Sequence, residues 1–430
     1  MHLPVILRKE YAMKKLHVLT PGLWMLFWLV PTSKASDRYD VKVGVAQASI
    51  TPGNTAYIAG GDKNRRFSGV HDSLYVKVIV VANAKNHVAM VSFDCIGMLY
   101  PTLLEIRKAI ALKIPPSVFN PKHIVMSSTH THSGPDVVGI WGPDLMTSGV
   151  DSAYMVRVVR TAADAIVTAW NNRQDAKMVY AETGFGQDWV YNISDSLNLD
   201  RSLSVLQFLS RKGKSIATLT NFACHPTILD GANALVSSDY PGAMYKQLDQ
   251  NIGGINIFLN GAIGGWVQPE YEPKTFESVN RRGSELATVV EMALKHPTAM
   301  SHSGIDFKSV VFNLPVSNPG FQQLSAAGVI HRAIGDGVET EIAFFSLGDA
   351  CFVTHPGETS PTYSKASKAK MNNKGPKFVI GLGMDALGYI LTPEFYEPGT
   401  NMKHAGYLTG MSVDKYAGEM IMQKIDLLTR

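Results

Sequence analysis

The stretch HIVMSSTHTHSGPDVVG, residues 123–139, begins as an apolar run and ends in a Ser-Gly-Pro turn, with two histidines two residues apart in between. Its first part has the length and content of a buried strand closed by turn residues. In a strand, residues two apart point to the same side, so a strand running on through the motif would aim His130 and His132 into one cavity. Sheets flanked by helices place their chemistry where strand ends meet loops. The exit of this strand is therefore the first place to look for function.

Outward from it the chain alternates strand and helix patterns. LYVKVIVVANAKNHVAMVSFD (74–94) reads as two strands around a turn at Asn83–Asn86. PTLLEIRKAIALKI (101–114) and DSAYMVRVVRTAADAIVTAW (151–170) carry apolar residues at helical spacing, as do PGAMYKQLDQ (241–250), SVNRRGSELATVVEMAL (278–294) and TSPTYSKASKAKM (359–371). Between them AKMVYAETG, LSVLQFLS, SIATLTNFACH, INIFLNGA, IDFKSVVFNLPV and EIAFFSLGDACFVTHPGE read as strands, and KFVIGLGMDALGYIL as a strand entering a loop. The expected class is α/β, with mixed β-sheets flanked by helices. Without internal repeat or low-complexity linker, residues 36–430 are expected to form a single large catalytic domain.

Residues 13–36, MKKLHVLTPGLWMLFWLVPTSKAS, run from lysines through an apolar stretch to small residues. This is the pattern of a cleaved signal peptide covering residues 1–35, with Met13 a candidate true start and a secreted or periplasmic destination. Pro21 and Gly22 interrupt the apolar run, which argues against a membrane anchor. Removing residues 1–35 changes the balance of Lys+Arg against Asp+Glu from 40 and 36 to 35 and 35. A near-neutral chain without a basic block is not expected to bind nucleic acid. Cys95, Cys224 and Cys351 are odd in number, widely spaced and set in apolar runs, which suits buried thiols rather than disulfides or a zinc knuckle.

Three further junctions repeat the pattern of the first. NFACHPTILDG puts His225 at a strand end, THPGETSPTYSKASK puts Glu358 where a strand turns into a helix, and GLGMDALGYILTPEFYE puts Asp385 and Tyr389 after a glycine-rich exit. Each has a plainer explanation: a hydrogen-bonded structural histidine, a carboxylate at a helix N-terminus, a core tyrosine. His355, three residues before Glu358, reads as part of a wall or a supporting partner.

Together these segments resemble the neutral/alkaline non-lysosomal ceramidases. GVAQASITP, GVHDSLYVKVIVV, THTHSGP, HPT with SSDYPG, PGET and GYILTPEFYE follow one another in the family's order across Val43 to Tyr396. The resemblance implies one zinc per chain, held by His130, His225, Glu358 and Tyr389, an N/O donor set that suits zinc. It implies that His132 acts on substrate rather than metal, and Asp239 is a candidate to orient a ligand imidazole. The family's serine nucleophile is missing. The corresponding loop reads NGAIGGWVQPEY, with Val267 or Gln268 near the serine position and Gly265 near the preceding aspartate. The C-terminal immunoglobulin-like domain of longer members is also missing.

The expected activity is hydrolysis of an N-acyl amide, lipid or small molecule, by zinc-activated water without a covalent intermediate. His132 would stabilise the oxyanion or donate to the leaving amine, the backbone N–H groups of Gly264 and Gly265 would let the loop serve as an oxyanion donor, and the Gln268 amide could donate and accept hydrogen bonds but not attack. Weak or no turnover of long-chain ceramide and transient contact with a membrane surface complete the expectation. A metal hydrolase of non-lipid amides or esters, and a non-catalytic binding protein, are the alternatives. The sequence leaves the oligomeric state open.

Overall fold

Val76–Val81 is an unbroken run of buried residues, the mark of a strand covered on both faces, and it lies near the middle of the larger of two main sheets. The computed structural model describes residues 39–430, so the expected signal peptide lies outside the described residues. The larger sheet runs, edge to edge, Ile255–Asn260, Ser215–Phe222, Ser202–Ser210, Gln174–Gly184, Val41–Ser49, Tyr75–Ala82, His87–Phe93 and Ile124–Ser128. Its outermost pair at each end is parallel and the pairs between are antiparallel. Thr298–Ala299 adds a short strand beside Gln174–Gly184.

The two ends of this sheet come together. Ser92 Oγ donates to the Phe258 carbonyl and Lys77 Nζ to the Asn256 carbonyl, each at 2.9 Å. The sheet therefore curls until the strand before His130 stands beside Ile255–Asn260, the neighbour of the strand before His225.

The second sheet orders Ile305–Pro315, Gly337–Leu347, Ala350–Thr354 and Lys377–Ile380, antiparallel except for the last, parallel pair. Phe345, Phe352 and Phe378 stack across three of its strands, with ring centroids 4.5 and 4.3 Å apart. Each such aromatic pair adds about 0.5–1.5 kcal/mol beyond its buried area. Asn221 joins the sheets, its amide donating to the Leu259 and Val379 carbonyls.

Helices cover the sheets as expected. Tyr100–Ala111 buries Leu103, Ile106 and Ile110 and packs beside Ser152–Asn171, which is capped by the Asp151 side chain and lies on Val41–Ser49 and Tyr75–Ala82. Tyr240–Asn251 packs on Phe276–Ala293, and Ala417–Thr429 covers the second sheet. No helix among the described residues is long and apolar enough to cross a membrane. Cys95, Cys224 and Cys351 are buried free thiols, as their apolar settings suggested.

The carboxyl ends of Ile124–Ser128, Ser215–Phe222, Ile255–Asn260, Ala350–Thr354 and Lys377–Ile380 all carry chain into one region. The exits of the second sheet meet there as a two-residue parallel pair, Glu358–Thr359 with Tyr389–Ile390, in which Glu358 faces Tyr389.

Candidate metal centre and its cavity

His130 and His132 share a cavity, but not by strand alternation. Pairing ends at Ser128, and His130 adopts a left-handed φ of 72°. The His130 N–H donates to the Cys95 carbonyl, which turns the chain and brings the two Nε2 atoms to 3.3 Å. His225 closes the group. One nitrogen from each of the three rings lies within 4.8 Å of the others. Glu358 reaches in from the second sheet, with Oε2 3.0 Å from His225 Nε2 and Oε1 3.6 Å from His130 Nε2. The Tyr389 hydroxyl lies beside the same carboxylate and helps to lower its pKa.

The tautomers follow from the partners. His130 Nδ1 lies 2.5 Å from the Ile96 carbonyl and His225 Nδ1 2.9 Å from the Val267 carbonyl. A carbonyl only accepts, so both Nδ1 atoms carry hydrogen and both Nε2 atoms are turned toward Glu358. Burial, partly offset by Glu358, pushes His130 down to about 3, so it is neutral at physiological pH. Burial followed by the neighbouring His225 lowers His132 to about 3 as well. Burial by itself would raise the Glu358 carboxyl, but His130, His225 and Tyr389 outweigh it and leave it below the usual carboxylate range. Two Nε2 atoms thus face the Glu358 carboxylate across a buried space. Such a set could hold a cation. Neutral imidazole nitrogens, a carboxylate and a phenol oxygen suit zinc.

The site opens on a cavity of about 920 Å³ lined by Ile96, Val138, Trp141, Phe321, Leu324 and Met411 among others. Its lining contains no lysine, arginine or aspartate. One wall is set by Asp136, which accepts from the N–H groups of Val138, Gly139 and Trp141 and so folds that segment toward the cavity. The opposite wall is the helix Pro319–Ala326, whose capping residue Asn318 also donates to the Gly410 and Ser412 carbonyls. Gly60 packs flat on His132. Its φ is 81°, and a Cβ there would stand 2.5 Å from the ring.

Several expectations change. Asp239 does not touch an imidazole. Its carboxylate accepts from the N–H groups of Leu229 and Tyr240 and caps a helix. Backbone carbonyls orient the ligand rings instead. Asp385 is a buried structural partner of Arg332, Thr340 and the Tyr100 N–H. His355 bonds Ser367 Oγ and does not line the cavity. Gln268 and Gly265 do not line it either. The Gln268 amide reaches toward Glu270, in a separate cavity shared with Asp230 and Lys274, because Val267 takes the inward position on their short strand. The Gly265 carbonyl is taken by the Ser194 N–H, and the Gly264 N–H by the Thr359 carbonyl. Neither Gly265 nor Gln268 lines the cavity beside the imidazoles.

Asn260 is a residue that the sequence did not single out. Its amide nitrogen donates to the Thr129 carbonyl at 2.9 Å and the Cys224 carbonyl at 3.1 Å, and its oxygen accepts from the Cys224 N–H at 3.2 Å. Those are the residues just before His130 and His225. One side chain thus spaces the two histidine-bearing exits. The only signal in the sequence is a polar residue ending an apolar strand, INIFLN.

The comparisons agree with this geometry. The family described as neutral/alkaline non-lysosomal ceramidase, N-terminal, matches residues 41–262. The chain belongs to that family. It is 24% identical over 274 residues to neutral ceramidase B of Dictyostelium discoideum, covering 59% of this chain and 38% of that protein. With neutral ceramidase of Pseudomonas aeruginosa it shares 22% identity over 226 residues, 48% of this chain and 33% of the relative. The matched stretches thus span about a third of the length of these curated relatives. The crystal structure of the Pseudomonas aeruginosa enzyme superposes with a TM-score of 0.74 at 16% identity, covering 91% of this chain and 75% of that one. A structure described as ceramidase complexed with C2 gives 0.75 at 15% identity, with the same coverage. These likenesses fix the fold.

Proposed function

We propose that this chain is a zinc-dependent amidohydrolase acting on an uncharged, apolar N-acyl amide. The observation that carries the reading is the pair of Nε2 atoms, aimed by carbonyls that hold each Nδ1, facing Glu358 at the base of an apolar cavity. His130, His225, Glu358 and Tyr389 would hold the metal. A bound zinc supplies Lewis acidity, polarising an acyl carbonyl and making a water molecule easier to deprotonate.

The chain's own residues do the rest. The apolar walls take up the acyl chain and exclude bulk water. The absence of basic residues from the lining gives a carboxylate or phosphate group on the substrate no partner, which favours a neutral lipid-like amide such as a ceramide. His132 stands beside the ligand rings with Nδ1 unpartnered and 3.9 Å from Asp230. It is placed to take a proton from the attacking water and return it to the leaving nitrogen as the C–N bond breaks. No serine, threonine or cysteine side chain lines the cavity, so attack by water in one step is the reading that the lining supports. The signal-peptide pattern of residues 1–35 supports secretion to the periplasm or medium. Leu145 and Met146, exposed beyond Trp141, support brief contact with a lipid surface.

The test is hydrolysis of a panel of N-acyl amides by the purified chain before and after chelation. Turnover of uncharged apolar amides should vanish with chelator and return with zinc. Turnover indifferent to chelation, or confined to esters and charged amides, would overturn the reading.

A further inference from the structure

The loop Gly261–Val267 leads into Val267 and Gln268, the positions that the resemblance matches to the family's serine. Here it offers no side chain that can attack, yet it touches the candidate centre at three points. A Cβ at Gly264 would lie 2.5 Å from the Glu358 carbonyl oxygen and 2.7 Å from the Ser360 nitrogen, so the loop backbone is pressed against the strand that carries Glu358. Trp266 follows with a φ of 60°. A left-handed conformation in so bulky a residue costs about 1–3 kcal/mol and persists only where the surroundings enforce it. The indole Nε1–H donates to the Tyr389 hydroxyl oxygen at 2.7 Å, and the ring packs against His404 and Tyr407 at centroid distances of 4.6 and 5.6 Å. One residue further on, the Val267 carbonyl accepts both the backbone N–H and the Nδ1–H of His225, at 2.8 and 2.9 Å.

We propose that the loop has become a ligand clamp: Val267 fixes His225, and Trp266 is a positioning residue that fixes Tyr389. This rests on the reading of the centre as a metal site. An indole N–H only donates, so the bond runs from Trp266 to Tyr389 and leaves the phenol hydrogen free to face Glu358. The phenol oxygen is thereby held beside the carboxylate before any ion arrives. Once that oxygen gives electron density to a cation, it can still accept from the indole. The strain at Trp266 accompanies the reach of its indole to Tyr389.

Zinc affinity, measured by competition with a chromophoric chelator, tests the clamp in the wild type, Trp266→Phe, Tyr389→Phe and the double variant. Trp266→Phe keeps an aromatic ring but loses the N–H. Its affinity should fall about tenfold or more, as for other partners that orient metal ligands. Tyr389→Phe should lose at least as much, and the double variant no more than Tyr389→Phe alone. The cobalt-substituted absorption spectrum should change in Trp266→Phe, while the thermal unfolding of the metal-free variants stays close to wild type. Additive losses, or wild-type affinity in Trp266→Phe, would overturn the clamp. Wild-type affinity in Tyr389→Phe would overturn the ligand assignment and the clamp with it. If Trp266→Phe does not fold, the indole N–H resonances of the otherwise native chain decide. One should shift on zinc addition and fail to shift in Tyr389→Phe; an identical shift in both overturns the proposal.

Discussion

The histidine-bearing exits and the glycine loop beside them follow neighbouring strands, yet they are built differently. At the exits the chemistry is in side chains, and backbone carbonyls only aim them: Ile96 aims His130 and Val267 aims His225. In the loop the chemistry expected of the family is gone, and what remains is close backbone packing on Glu358 and one indole bond to Tyr389. The difference teaches that side chains gathered at strand exits could hold an ion while the neighbouring loop contributes mainly packing.

Acid should expose the histidine side of this contrast most strongly. His130, His132 and His355 are each lowered by burial to about 3 from an ordinary value of 6.5. Their folded values lie below the unfolded one, so the stability they contribute is complete above 6.5 and is lost as the pH falls toward 3. At pH 5 the metal-free chain should be less stable than at pH 7 by roughly 2 kcal/mol for each of the three. Denaturant midpoints at the two pH values measure this, and a flat profile would show that the rings are not held neutral.

The next largest effect separates His132 from the ligands. His132→Ala should keep zinc and lose about 10²–10⁴ in turnover, the usual contribution of a positioned acid–base group. Equal loss of metal in His132→Ala and His130→Ala would mean that all three imidazoles bind the ion and that the roles assigned here are wrong.

The smallest effect probes the loop. Gly264→Ala should cost about 1–3 kcal/mol through overpacking against Glu358 and Ser360, with weaker zinc binding. Gly264→Ser should do the same and gain no covalent step. A burst of released amine with a trapped acyl adduct in Gly264→Ser would show that the loop is looser than its contacts imply.

Much of this architecture was legible in the sequence where the signal is local. Alternating strand and helix patterns gave the main elements. The junctions at His130, His225, Glu358 and Tyr389, once matched to the family's order, marked residues that the fold does bring together. What escaped depends on contacts distant in sequence. Asn260 matters because a curled sheet sets it between Thr129 and Cys224. Strand alternation was the wrong reason for the proximity of His130 and His132, because pairing with Phe93 stops at Ser128 and the chain then turns. Gln268 was placed near the serine position by count along the chain, but a two-sided strand gives the inward place to Val267. The helix Pro319–Ala326 buries no residue fully, so its periodicity gives little sign of the wall it forms.

Metal analysis of the chain purified without added metal, beside His225→Ala, tests the central claim most directly. The account predicts about one zinc in each wild-type chain and almost none in a folded His225→Ala variant. Full zinc in that variant, or a zinc-free wild-type chain that still cleaves N-acyl amides, would contradict it.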